Sequence, residues 1–213
     1  QPIKIRYNQE IIETSVGRII FNEALPEELR YMNESITAKK ITNIIKNAIK
    51  LFDNDKVASL IDEIKSMGFR YLTISGLSVA VSDNIMITNK PQMIKEAEGE
   101  VNQILETYNQ GLITTEEKRR LSFEVWMNTT EKIANATWDK FEKNNAVKII
   151  IDSGGTRASR DQVKQLSAMR GLVVDPLGKI VEMPTKSNFR EGLSIFEYVT
   201  SSRGSRTGLT DSA

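Results

Sequence analysis

Residues 89–141 read NKPQMIKEAEGEVNQILETYNQGLITTEEKRRLSFEVWMNTTEKIANATWDKF, and this stretch decides the fold. Pro91 suits a first helical turn, where its missing N–H has no intrahelical partner to lose. From there Ile94, Ala97, Val101, Ile104 and Tyr108 follow at spacings of 3, 4, 3 and 4, the seam of a coiled coil. NQGLIT (109–114) breaks the period. Thr114 and Glu117 then form the T-x-x-E signature of a capping box, which opens a second helix carrying Leu121, Val125, Ile133 and Ala136 on a looser seam. The pair predicts an antiparallel helical hairpin with arms of about 20 to 27 residues, roughly 30 to 40 Å at 1.5 Å per residue. Such a hairpin is either half of a bundle whose outer faces meet other helices, or a projecting coiled coil that offers its tip or flank to partners. Glu96, Glu98, Glu100, Glu106, Lys118, Arg119 and Arg120 keep much of its outside charged, which favours projection.

Composition narrows the chemistry. The 213 residues carry 29 basic and 28 acidic side chains, a net charge of +1, so no global field demands a nucleic-acid or membrane partner. There is no cysteine, and hence no disulfide, thiolate zinc site or cysteine nucleophile. There is no histidine either, which removes imidazole acid–base catalysis and serine–histidine triads. No apolar run reaches the roughly 18 residues that span a bilayer. QPIKIRYNQE at the amino end has neither an initiating methionine nor a signal peptide, so the chain reads as soluble and trimmed at both ends.

Upstream of the hairpin, Ile41, Ile44, Ile45, Ala48, Ile49 and Phe52 mark one face of a helix that ends in DND (53–55). Asp55 can cap the next helix, whose face is Val57, Leu60, Ile61 and Ile64 and whose stop is expected at Gly68. YLTISGLSVAVSDNIMI (71–87) alternates in a way that favours extended structure, broken at Gly76 and at Asp83-Asn84. The first 35 residues read as irregular, with one short strand or helix. The expected fold class is mainly α with small irregular β segments, a long antiparallel coiled-coil hairpin projecting from a mixed base. Its expected parts are 1–36 (connecting segment), 37–88 (small helical base with short strands), 89–143 (hairpin) and 144–213.

In the last part, VKIII (147–151) reads as a short strand, and Gly154, Gly155, Thr156, Arg157 and Ser159 form a small-residue loop before a helix near Asp161. Free N–H groups there, with Arg157 and Arg160 close by, could hold an anion, although most such loops are purely structural. Residues 175–178 (DPLG) make a good turn. After it Leu193, Phe196 and Val199 fall at helical spacing, and nothing downstream looks like a helix stop.

Several stretches, taken in order, resemble a known family: TSVGRIIFNEALP (14–26), GFRYLTISGLSVAVSDN (68–84), the hairpin, GGTRAS (154–159), QVKQLSAMRGLV (162–173), KSNFREGLSIFEYVTSSRG (186–204) and GLTDSA (208–213). The family is the largest catalytic (beta-prime) subunit of bacterial-type DNA-directed RNA polymerase, and the resemblance covers nearly the whole chain. It implies a nucleotidyltransferase in which the RNA 3′ hydroxyl attacks an incoming triphosphate with magnesium present in the complete enzyme. It implies as partners the other polymerase subunits, template DNA and RNA, nucleoside triphosphates, and transcription factors that dock at the secondary channel. The location implied is the bacterial cytoplasm, in association with the nucleoid, with no membrane partner.

By the same resemblance Arg157 faces the triphosphate or pyrophosphate route, with Gln162, Lys164 and Gln165 as weaker candidates beside it. Arg206, Thr207 and Asp211 fall on the bridge helix, of which the chain is expected to hold the first half. The loop 171–189 packs against that helix. The hairpin corresponds to the rim of the secondary channel, and its tip, Asn109, Gln110, Leu112 and Thr114, to a docking site for factors.

Departures from the family limit what the chain does alone. The N-A-D-F-D-G-D motif that holds catalytic magnesium is absent, and Asp53 and Asp55 supply only two carboxylates, so no catalytic residue and no metal site are expected in this segment. Ala158 stands where glycine is frequent, and Arg203 and Thr207 replace the more usual histidine and lysine. Two other readings remain: a stand-alone helical protein that presents the hairpin to partners, and a nucleotide-binding enzyme built on SGGTRAS. The second lacks G-K-[ST].

Overall fold

A computed structural model describes residues 2–156, 158–174 and 178–202. The fold is mainly helical, with one small antiparallel sheet, as the sequence leads one to expect. Arg157, Arg203, Arg206, Thr207 and Asp211 lie outside the described residues. The chain divides into two compact units, Gln1–Ser78 with Ile150–Arg157, and Val79–Ile149 with Ala158–Ala213.

The first unit opens with strands β1 (Pro2–Tyr7) and β2 (Glu10–Ser15), paired antiparallel with Pro2 opposite Ser15 and Tyr7 opposite Glu10. Asn8 and Gln9 both have positive φ, +47° and +70°, the two-residue turn whose twist matches its flanking strands. This hairpin replaces the expected irregular start. Its signal is a two-residue period, with Ile3, Ile5 and Tyr7 half-buried while Lys4 and Arg6 are exposed.

Helix α1 (Val16–Glu23) follows, then α2 (Ala38–Leu51) and α3 (Asn54–Ser75). Leu25, Ile44, Ala48, Val57 and Leu60 make the unit's core, with Phe21, Leu29, Met32, Phe52 and Ile64 packed on it. Asp53, not Asp55, is the residue before the first turn of α3; Asp55 sits inside that turn, where its charge suits the helix dipole. The helix also runs through Gly68, and the left-handed stop is Gly76, φ +59°. Residues 71–75 are therefore helical and not extended. A glycine inside a helix costs only about 1 kcal/mol, too little to end it when the residues that follow can continue the hydrogen-bond ladder.

In the second unit α4 (Lys90–Asn109) and α5 (Thr115–Lys140) form the antiparallel hairpin, 20 and 26 residues long. Ala97, Trp126 and Ile133 are buried between them with Ile87, Ala168 and Met169, and Ile94, Val101, Val125 and Ala136 pack on this cluster. Helix α4 ends with Gly111 at φ +74°; its N–H donates to the Tyr108 carbonyl (2.9 Å) and that of Leu112 to Thr107 (3.2 Å). These two bonds satisfy carbonyls that a helix end otherwise leaves free. The expected capping box opens α5: Thr114 Oγ1 accepts from the Glu117 N–H (3.2 Å), and Glu117 Oε2 accepts from the Thr114 N–H (3.1 Å).

Helix α6 (Ala146–Asp152) stands where VKIII read as a strand. Asn145 starts it, its Oδ1 accepting from the N–H groups of Val147 (3.0 Å) and Lys148 (3.3 Å). The short α7 (Arg160–Val163) continues into a wide, π-type turn, Lys164–Ala168, where the Met169 N–H reaches the Lys164 carbonyl five residues back (3.1 Å). Residues 171–174 lie antiparallel to 180–185: Gly171 and Thr185 exchange two bonds (2.9 and 2.8 Å), and the Val181 N–H donates to Val173 (2.9 Å). The last helix among the described residues is α8, residues 195–202.

Candidate functional site

The π-type turn leaves carbonyls pointing outward, and residues 188–190 take them up. The Phe189 and Arg190 N–H groups donate to Gln165 and Leu166 (3.1 Å each). Asn188, fully buried, donates through Nδ2 to Ser167 (3.1 Å) and Ala168 (3.2 Å). Asn188 and Glu191 also cap each other, Glu191 N–H to Oδ1 and Asn188 N–H to Oε1, both at 2.9 Å. The ammonium of Lys90, whose side chain is 7% exposed, pairs with Glu191, and the Arg190 guanidinium donates to the Asn84 carbonyl. Lys90 is thus buried with a partner, as a charge in that position must be.

A second polar cluster lies beside it. Glu197 Oε1 accepts from the N–H groups of Lys186 (2.9 Å) and Ser187 (3.1 Å). Glu197 Oε2 accepts from the Ser187 hydroxyl (2.8 Å) and from the Ser194 N–H (3.0 Å) and hydroxyl (2.9 Å). Partial burial raises the pKa of this carboxyl, but the combined hydrogen bonds from Ser194 and Ser187 outweigh burial and hold it at about 2. Gly171 is required where it stands: φ is +83°, and an added Cβ would meet Thr130 at 3.2 Å.

Of the residues expected near substrate phosphates, Gln162, Lys164 and Gln165 share the short α7–π segment. Each is engaged locally. Gln162 Oε1 accepts from the Ser159 N–H (2.6 Å) and hydroxyl, completing a capping box. Lys164 pairs with Glu131 (2.7 Å) and lies 4.0 Å from Asp161. Gln165 gives its carbonyl to Phe189. A cavity of about 210 Å³ opens between this segment and α5, lined by Glu131, Asn135, Trp138, Arg160, Asp161 and Lys164 among others, with the Arg160 guanidinium 4.7 Å from the Trp138 ring centre. The lining mixes both charge signs. In the glycine loop, the Gly154 N–H donates to Ile151 (3.0 Å) and that of Gly155 to Ser153 Oγ (3.3 Å). Those two donors are spoken for.

At the hairpin tip Asn109, Gln110, Leu112 and Thr114 are all exposed, Leu112 to 70%. Tyr108 and Thr115 hydroxyls meet across the turn at 3.2 Å. Further back, Lys186 pairs with Glu98 (2.5 Å) and lies over Trp126, and Glu182 pairs with Lys118 (3.5 Å) and Arg119 (3.0 Å). Residues 182–186 therefore brace one flank and leave the tip clear.

Comparison with known proteins decides the family. The family described as RNA polymerase Rpb1, domain 3, matches residues 1–84. The beta-prime subunit of the DNA-directed RNA polymerase of Thermosipho africanus is 38% identical across 100% of this chain, which covers 13% of that protein. Those of Syntrophomonas wolfei and Desulforudis audaxviator are 40% and 39% identical, over 96% and 95% of this chain and 17% and 18% of their own lengths. The chain belongs to the beta-prime family of bacterial RNA polymerase subunits. It spans less than a fifth of the curated relatives it matches.

Within this beta-prime segment, the motif KSNFREGLSIFEY supplies Asn188, Arg190, Glu191 and Glu197, the centres of both polar clusters. The motif is singled out in the sequence by resemblance, but these residues are not legible there as a structural unit, because their partners lie elsewhere in the chain: backbone 10 to 106 residues away for Asn188, Arg190 and Glu197, and the Lys90 ammonium for Glu191. Among the described residues no group of three or more Asp and Glu is placed to hold a metal ion. No described helix is long and apolar enough to cross a membrane.

Proposed function

We propose that this chain lines the channel through which nucleotides enter, and the active-centre surroundings, of a multisubunit DNA-directed RNA polymerase in the cytoplasm. The observation that carries the reading is the 38% identity to a beta-prime subunit over the whole chain. Its partners are then the other polymerase subunits, template DNA, RNA and nucleoside triphosphates. Magnesium chemistry in the complete enzyme belongs to carboxylates outside this segment.

In this reading the α4–α5 hairpin is the channel rim, and its exposed tip, Asn109, Gln110, Leu112 and Thr114, receives transcription factors. The braced flank supports the same role, since an arm held along one side, as far out as Lys118 and Arg119, presents its tip at a fixed place. Arg157 contacts triphosphate or pyrophosphate oxygens, with Gln162, Lys164 and Gln165 as weaker candidates on the same route. Arg206, Thr207 and Asp211 lie on the bridge helix that α8 begins.

The test is Arg157→Ala in the complete polymerase. Loss of a charge-assisted contact worth roughly 1.5 to 3 kcal/mol should slow single-nucleotide addition or pyrophosphorolysis about 10- to 150-fold, with assembly and melting temperature unchanged. Normal rates, or slowing that follows unfolding, would remove Arg157 from the substrate route. The isolated chain, given template, primer, triphosphates and magnesium, should extend nothing, and template-directed extension by it would overturn the assignment.

A further inference from the structure

Helix α8 turns its apolar side outward. Ile195, Phe196 and Val199 are 82%, 85% and 54% exposed, although their spacing suggests an inward face. Apolar burial within this unit therefore does not decide where the helix lies. Polar ties do.

Glu197 sits in the first turn of α8 and gathers five donors on two oxygens: the N–H groups of Lys186, Ser187 and Ser194, and the hydroxyls of Ser187 and Ser194. All five are neutral, so each bond is strengthened by the charge of the acceptor without a competing cation. The nearby Lys186 ammonium is occupied by Glu98 at 2.5 Å. The bonds to Ser194 close a capping box with Ser194 Oγ, which accepts from the Glu197 N–H at 3.3 Å. The bonds to Lys186 and Ser187 are of another kind, because a cap needs no donors from a segment ten residues upstream.

Ser187 is held from both sides. It donates twice to Glu197, and its carbonyl accepts from the Arg170 N–H (3.1 Å), while the Arg170 guanidinium reaches the Ser201 carbonyl one turn further along α8 (3.4 Å). Two attachment points one turn apart fix the direction of a helix as well as its start.

We propose that Glu197 is a positioning residue for nucleotide addition: its carboxylate fastens the first turn of α8 to the end of the 171–187 segment and so sets the direction in which the helix leaves. The inference rests on the channel reading above, in which this helix continues toward the active centre. Glu197 touches no substrate in this account. Its effect is exerted through the helix it orients.

The experiment uses the complete polymerase in preassembled elongation complexes. With the unmodified chain the enzyme must add nucleotides; if it does not, the channel reading falls and takes this inference with it. With Glu197→Ala the maximal addition rate should drop on the order of tenfold, because small misplacements near a reacting centre are costly, while the apparent triphosphate KM stays within about twofold. Glu197→Gln should recover part of the rate, since its amide oxygen still accepts from the Lys186 and Ser187 N–H groups. Ser187→Ala should slow addition less, and the Ser187→Ala, Glu197→Ala double variant should be no slower than Glu197→Ala alone, as expected of two residues in one device. An unchanged rate for Glu197→Ala in a working polymerase overturns the proposal and leaves the channel reading standing. So do fully multiplicative effects of the two substitutions, or a slowing that vanishes when rates are corrected for the amount of assembled enzyme.

Discussion

The hairpin α4–α5 and the segment 164–202 belong to the same unit and are held by opposite means. The hairpin has a repeating apolar seam, with Ala97 and Ile133 buried between two long helices. The later segment has few regular elements and is tied by side chains bonding to backbone: Asn188 to two carbonyls, Glu197 to three N–H groups, Arg190 to one carbonyl. Burial of apolar surface is additive and tolerant, whereas a buried polar group that loses its partner carries a desolvation penalty. The two regions should therefore fail differently when damaged.

Ile133→Ala should be the most damaging change. Ile133 is fully buried, and truncation leaves a cavity at a cost of about 2–5 kcal/mol in a denaturant titration. Asn188→Ala should cost about 1–3 kcal/mol, because it strands the Ser167 and Ala168 carbonyls. The comparison sharpens in the far-ultraviolet circular dichroism below the midpoint, where Asn188→Ala should retain the helicity of the hairpin. A loss of helix equal to that of Ile133→Ala would show that the two regions are one cooperative device.

Val101→Asp puts a charge into the seam and should lower both helicity and stability by at least ~1 kcal/mol. An unchanged melting curve would mean that the half-buried seam position carries no packing. Thr114→Ala, at the capping box of α5, should cost about 1 kcal/mol, and Thr114→Gly only a few tenths. Equal losses for the two would point to a contact other than the cap.

The smallest effect concerns acid. The folded state holds Glu197 at about 2, below the usual 4.5, so its contribution is fully present above pH 4.5 and is lost as the pH falls toward 2. The difference in melting temperature between the unmodified chain and Glu197→Gln should be constant down to pH 4.5 and shrink below it. A difference that persists at pH 2 would show that the carboxylate charge is not what Glu197 contributes.

Much of the hairpin was legible because period and cap are local signals: the 3-4 spacing of Ile94 to Tyr108, the break at residues 109–114, and Thr114 with Glu117. Local signals also misled. Gly68 looked like a stop, yet a stop depends on which glycine adopts positive φ, and that is Gly76. Leu193, Phe196 and Val199 have helical spacing, but spacing does not say which face is covered. The candidate site was legible only as motifs. That Gln162 caps its own turn and Lys164 pairs with Glu131 depends on side-chain directions that no residue pattern encodes.

The sequence by itself determined the class, the hairpin and the family, since each is written in residue order: an apolar period, turn formers at fixed offsets, and a colinear series of motifs. It also determined that imidazole and thiol chemistry are absent. Only the tertiary structure decided how the later segment is held. Asn188 meets the π-type turn some twenty residues back, and Lys90 meets Glu191 about a hundred residues on. Such pairings depend on two distant backbones arriving together with donors and acceptors aligned. The physical reason is directionality. Apolar burial asks only that a side chain be covered by some apolar neighbour, so a period can mark a candidate face, but a hydrogen bond needs a particular partner at a particular angle, which exists only once the chain has folded.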